Sequence, residues 1–150
     1  MPSFSDMLQR LLTAQERGKT ARTVEAFGWL ILAESLVLFL APDFAASLLR
    51  LPALSEQAAN YCRLVGLLVG GLGMLYVVSG RLNSRGFLFA SLLDRPLVPP
   101  VMAALWLLNM IPWQLALLFA IQDFASFLWT LSAWRRESLA TAGAESQLSL

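Results

Sequence analysis

Residues 58–80 read AANYCRLVGLLVGGLGMLYVVSG, an unbroken run with a single charge, Arg63. At ~1.5 Å of rise per residue, a helix of this length exceeds the ~30 Å hydrocarbon layer of a bilayer. A helix on the surface of a soluble protein keeps a polar face toward water, and this stretch has none. It predicts a membrane-spanning helix, and the rest of the chain repeats the theme. Val24 to Ala41 is apolar apart from Glu25, Glu34 and Ser35, and Pro42 with Asp43 ends it. Two further spans are expected at about 97–111 and 113–134, with Pro112 and Trp113 at a turn so short that the two form a tight hairpin. Pro99 and Pro100 fit the first turn of the third span. The segment between, GRLNSRGFLFASLLDRP, reads as an inner loop, with Asp94, Arg95 and Pro96 as a helix start. Residues 43–57 read as a mixed connection in which FAASLLRL forms a short helix.

The fold class is thus all-α, an integral membrane bundle of four transmembrane helices. Over the whole chain hydrophobic residues reach 57% and charged residues only 14%, against about 25% charged in soluble domains. Residues 3–17 add an N-terminal amphipathic helix, with Phe4, Met7, Leu8, Leu11 and Leu12 at helical spacing and Ser3 or Ser5 as its cap. Too polar to span, it reads as an interfacial helix or one packed on its own bundle. One membrane domain over 1–136 is followed by a small, polar tail, 137–150, expected to be flexible.

Orientation follows from the cations. With the N-terminus inside, Arg10, Arg17, Lys19, Arg22, Arg81, Arg85, Arg95, Arg135 and Arg136 are cytoplasmic, and only Arg50 falls in an outer loop. This is a positive-inside asymmetry with both termini in the cytoplasm. No cleavable signal peptide is expected, because the first 25 residues hold no apolar run long enough. The net charge of +1 gives no reason to expect nucleic acid.

Candidate functional residues are the charges inside the apolar spans. An unpaired charge at mid-bilayer costs about 2.5–3.5 kcal/mol on insertion scales, so Glu34, Arg63 and Asp123 are expected to face the interior. At ~1.5 Å per residue Glu34 lies ~10 Å and Arg63 ~8 Å from the outer helix ends, with Asp123 near the middle. The three are therefore expected to form one polar centre in the outer half, with Tyr61, Asn60, Asn109 and Gln114 at its mouth. It is read either as a ligand site or as an ion-pair clamp. Gly66, Gly70 and Gly73 recur on the face of Arg63, either for close helix packing or to leave room beneath the arginine. Ala116, Ala120, Asp123, Phe127 and Thr130 share a face of the fourth span. Arg81, Arg85 and Arg95 are expected to contact lipid headgroups.

The strings YCRLVGLLVGGLGMLY, DRPLVPP and IPWQLALLFAIQDFASFLWTL together resemble small four-helix bacterial inner-membrane proteins of the DoxX-like kind, over residues 58–134. The matching features are Arg63 with Gly66, the Gly70 and Gly73 stripe, and Asp123. The resemblance implies a four-helix bundle in the bacterial inner membrane, sometimes attached to quinone-linked redox systems, and carries over no catalytic residue.

Chemistry is constrained by absences: there is no histidine, and Cys62 is the sole cysteine. The commonest metal ligand and general base are missing, and neither haem nor iron–sulfur ligation is supported. No cofactor and no metal are expected. The leading reading is a non-enzymatic membrane protein that binds a lipid-like or amphipathic small molecule, or accompanies a larger membrane complex. The alternatives are a proton- or ion-coupled transporter working as a homo-oligomer, and an enzyme acting on a lipid or quinone. Membrane lipids are the expected partners.

Overall fold

The chain starts with a reciprocal cap. Ser3 Oγ accepts the N–H of Asp6 at 3.2 Å, and an Asp6 carboxylate oxygen accepts the N–H of Ser3 at 3.0 Å. This satisfies two backbone donors that a helix start leaves open, and α1 follows over Phe4–Thr13. Ala14 closes it in the left-handed conformation, φ 47°, its N–H returning to the Arg10 carbonyl. The computed structural model describes residues 3–14 and 17–148. Gln15 and Glu16 of the expected 3–17 helix, and Ser149 and Leu150 of the expected tail, lie outside the described residues.

α2 spans Lys19–Leu40, α3 Pro42–Leu48, α4 Glu56–Arg81, α5 Arg85–Asp94, α6 Val98–Leu107 and α7 Trp113–Leu148, with a 3-10 turn at Arg95–Leu97. No strand occurs among the described residues. Among the described residues four helical stretches are long and apolar enough to cross a membrane: Lys19–Leu40, Glu56–Arg81, Arg85–Leu107 and Trp113–Ala142.

The sequence explains the breaks. Ser55 Oγ caps α4 by accepting the Ala58 N–H at 3.2 Å. Three helices stop in the same way, with a residue at positive φ just past the end: Arg50 (54°), Asn83 (51°) and Asn109 (57°). At Asn109 the N–H bonds to the Trp106 carbonyl and that of Met110 to Leu105, the paired pattern that satisfies the last carbonyls of α6. Asparagine tolerates this conformation better than most residues, which explains two of the three stops.

Two boundaries depart from the sequence reading. The expected inner loop at 81–96 is mostly helix, because α5, the 3-10 turn and α6 form one span from Arg85. Pro96 lacks the N–H an α-helix needs, so the chain tightens into a 3-10 turn and then continues. A proline read as a helix start is here a mid-span irregularity. The tail expected to be flexible from 137 is the continuation of α7, helical through Leu148.

By backbone contacts the chain divides into two units. One comprises Met1–Val24 and Ser79–Leu150, the other Glu25–Val78. In the second, α2 and α4 meet backbone to backbone. A Cβ added at Gly28 would lie 2.7 Å from the Val77 nitrogen, and one at Gly66 would lie 2.9 Å from the Phe39 nitrogen. Phe27 and Tyr76 pack edge to face beside this seam, ring centres 5.4 Å apart. In the first unit, α6 lies along α7, and the 3-10 turn touches α5, α6 and α7.

The buried residues are mostly small, among them Ala59, Ala116 and Ala133, while Leu64, Leu67, Leu68 (65% exposed) and Leu72 of α4 face outward. A soluble core would bury the leucines; their outward placement suits an apolar surrounding.

Candidate functional site

The first unit holds a buried polar cluster where α2 begins. The opening amides of a helix lack carbonyl partners within it and carry partial positive charge. Here a side chain from the far end of the sequence supplies the cap. Glu137 accepts the Thr20 N–H through Oε1 at 3.1 Å and the Thr20 hydroxyl through Oε2 at 2.6 Å. The approach depends on Gly18, since a Cβ there would sit 2.7 Å from Glu137 Oε1. Thr20 is 1% exposed, so the carboxylate substitutes for water that cannot reach this amide.

One turn along α2, Thr23 Oγ1 donates to the Thr20 carbonyl at 2.7 Å and lies 3.0 Å from Thr130 Oγ1. A hydroxyl carries one proton. The single Thr23 proton therefore serves two acceptors within reach, the Thr20 carbonyl and Thr130 Oγ1. Thr130 in turn accepts from Arg95 Nη1 at 3.0 Å. Arg95, Thr130, Thr23, Thr20 and Glu137 thus form one run of polar groups joining the 3-10 turn, α7 and α2. Thr130 and Glu137 are seven residues apart, two turns along one face of α7. These bonds tie the 3-10 turn, α7 and the start of α2 to one another, so the arrangement orients helices.

Two grooves flank this unit. One, about 750 Å³, is lined by Arg17, Asn83, Arg85, Trp134, Glu137 and Ser138 among others. The other, about 300 Å³, lies between α6 and α7 and is apolar: Pro99, Ala103, Trp106, Trp113, Ala116, Leu117 and Ala120. Alanines at 116 and 120, one turn apart, leave the trough, and the two indoles stand at its hairpin end.

The residues singled out from the sequence are distributed as follows. Glu34 and Arg63 belong to the unit Glu25–Val78, Asp123 and Asn109 to the other. Glu34, Arg63 and Asp123 are each half-buried. Arg63 Nη1 donates to Asn60 Oδ1 at 2.8 Å, a bond within α4. Tyr61 is 59% exposed, its hydroxyl accepting from Gln57 Nε2 at 2.9 Å. Asn109 provides the positive-φ stop of α6 described above. Gly66, Gly70 and Gly73 all face α2: a Cβ at Gly70 would meet Ser35 Oγ at 2.6 Å, and one at Gly73 would meet Leu32 at 3.0 Å.

Of the three arginines assigned to headgroups, Arg85 is exposed and Arg81 reaches the Leu11 carbonyl at 3.5 Å. Arg95 corrects the expectation, being fully buried (0% exposed). Because α5 and α6 are one span, it sits within a helix instead of on a loop.

Thr20, Thr23, Gly28 and Glu137 were not singled out as site residues in the sequence reading. Thr20 and Thr23 at a three-residue step, matched by Thr130 and Glu137 at seven, were the available signal. Glu137 was hidden by its polar surroundings, which look like a solvated tail. Compared with protein-family models, with curated proteins and with solved structures, the chain matches none.

Proposed function

We propose that this chain is a non-enzymatic integral membrane protein of the bacterial inner membrane, in the manner of the DoxX-like proteins, with both termini cytoplasmic. It holds a lipid-like or amphipathic small molecule, by itself or as an accessory subunit of a membrane complex. The observation that carries this reading is the predominantly apolar groove between α6 and α7, lined by alanines and two indoles. Small-molecule sites are concave and mostly apolar, with few polar groups for orientation. Asp123 follows Ala116 and Ala120 at seven and three residues on the same face of α7, which suits it to the polar end of such a ligand. Glu34 and Arg63 serve on this reading as the intramembrane polar groups of α2 and α4.

Membrane insertion is supported by the outward leucines and by the clustering of cations at one set of helix ends. α1 lies in the interface: Phe4 (85% exposed), Leu8 and Leu12 offer an apolar surface while its first turn is capped independently.

The test is to purify the full chain in mild detergent and identify what organic extraction releases. Ala120→Phe fills the groove and leaves the polar cluster untouched. A defined molecule in stoichiometric amount, lost from a folded Ala120→Phe variant, is the expected result. Retention of the same molecule by that variant, or nothing but bulk lipid in the wild type, would falsify the proposal.

A further inference from the structure

We infer that the α6–α7 groove selects a compact lipophilic organic cation of the alkylated-ammonium kind, its positive charge set against the indoles of Trp106 and Trp113. The inference names the ligand class of the proposed site and rests on that reading. The groove measures about 300 Å³, at the lower end of the ~300–1,000 Å³ that ligand sites span, so a compact molecule fits it. Among the described residues lining it, none carries a charge, a carboxamide or a hydroxyl. The polar features of its side chains are those of the two tryptophans. An indole has one N–H donor at its edge and an electron-rich face. Trp106 is 49% and Trp113 57% exposed, so ring surface is left for a ligand to cover.

The sign of the charge follows from what adjoins the indoles. Residues 96–122, which include α6, the hairpin turn and the first turns of α7, contain no Asp, Glu, Lys or Arg. Arg95, just before them, is fully buried and donates to Thr130. It lies eleven residues before Trp106, ~16 Å along the helical path. Asp123, just after them, is an acid and gives an anion no charged partner. An anionic or zwitterionic headgroup would therefore leave water for a wall with no cation to receive its phosphate or carboxylate, an uncompensated desolvation. A cation over an indole face is attracted by the ring quadrupole, more strongly as water is excluded. Aromatic rings recognise quaternary ammonium groups in this way. Such a group also carries its charge without N–H donors, and the lining side chains hold no acceptor that N–H donors would need.

The experiment is equilibrium dialysis of the full chain in a neutral maltoside detergent, read against protein-free micelles. The probes are hexyltrimethylammonium, the neutral isostere in which carbon replaces its nitrogen, and hexanesulfonate. The wild type should bind the cation more tightly than the isostere and should not retain the sulfonate. Each half-exposed indole contributes roughly threefold, so Trp106→Leu with Trp113→Leu should weaken the cation about tenfold and leave the isostere unchanged. Trp106→Phe with Trp113→Phe, which keeps a ring at both positions, should weaken it by a smaller factor. Trp129→Leu removes an exposed indole of α7 outside the groove lining and should change nothing. Short-chain phosphatidylcholine, which carries the same head on a lipid, should not displace the cation. Four results would overturn the inference: equal binding of cation and isostere, a preference for the sulfonate, an equal fall in Trp129→Leu, or displacement by phosphatidylcholine. So would a cation preference that survives Trp106→Leu with Trp113→Leu. Ala120→Phe separates the two readings. Binding that is lost in that folded variant but shows no preference for positive charge defeats this inference alone. Binding that persists there, or no binding of any probe, defeats the groove itself as a ligand site.

Discussion

The two units solve the same problem by different means. Between α2 and α4, in Glu25–Val78, helices are held by the absence of side chains, with Gly28, Gly66 and Gly73 placing backbone against backbone. Where α2 starts, in the unit comprising Met1–Val24 and Ser79–Leu150, helices are held by polar side chains: the buried Arg95, Thr130, Thr23 and Thr20, and the half-buried Glu137. In lipid there is no hydrophobic gain from pressing one apolar helix on another, which leaves close packing and hydrogen bonding as the available forces. The glycine seam is steric and indifferent to pH and salt. The polar cluster is directional, and removing one partner leaves a buried group without its bond.

The largest test of this contrast is Arg95→Ala. Removing a fully buried arginine opens a cavity and strips Thr130 of a charged donor, which should cost about 4 kcal/mol in reversible unfolding in detergent. A cost below that of the glycine variants would mean that the polar cluster is ornamental and the contrast false.

Next is Gly28→Ala, whose added methyl lies under 3 Å from backbone atoms of α4 that cannot yield. Forced separation of the seam should cost about 2–3 kcal/mol. Gly71→Ala, with nothing within 4 Å, is the matched control and should leave the melting midpoint unchanged or raise it.

Smaller effects sharpen the picture at the α2 cap. Glu137→Ala should cost about 1–2 kcal/mol, as lost helix caps do. Gly18→Ala should cost about 1 kcal/mol by displacing the carboxylate, and nearly nothing once Glu137 is already alanine, since both act through one contact. Additive losses in that double-mutant cycle would show that Gly18 acts independently of Glu137.

The smallest effect belongs to α1. Hydrogen bonding from Ser3, first its side chain and then its backbone N–H, holds the Asp6 carboxyl below its ordinary 3.8. A depressed folded-state value contributes stability that is present above 3.8 and lost as pH falls through the lowered value. Amide protection, corrected for the intrinsic rate at each pH, should therefore fall in α1 alone on acidification below about pH 4. Asp6→Asn should abolish this pH dependence, and a uniform loss of protection across α2 to α7 would refute the assignment.

Much of this molecule was legible from composition. Long apolar runs predict the spans because a bilayer leaves the backbone few options other than helix, and Pro42 and Pro112 mark breaks through their missing donor. The third span was misplaced for the same reason in reverse. Pro96 breaks local hydrogen bonding but not the helix direction, and only its neighbours decide whether the chain turns. The extent of α7 was missed because small polar residues after Arg136 look alike whether a helix continues or ends.

The amino-acid order alone determined that the chain is helical, that four stretches are long and apolar enough to span a membrane, and which residues are costly to place there. Those properties are sums over neighbouring residues and need no knowledge of distant ones. Tertiary structure alone decided that Glu137 caps α2 across more than a hundred residues, that Arg95 is buried, and that Gly28 touches α4. Each depends on two separated segments meeting at hydrogen-bond or van der Waals distance, and nothing local to either segment encodes that distance.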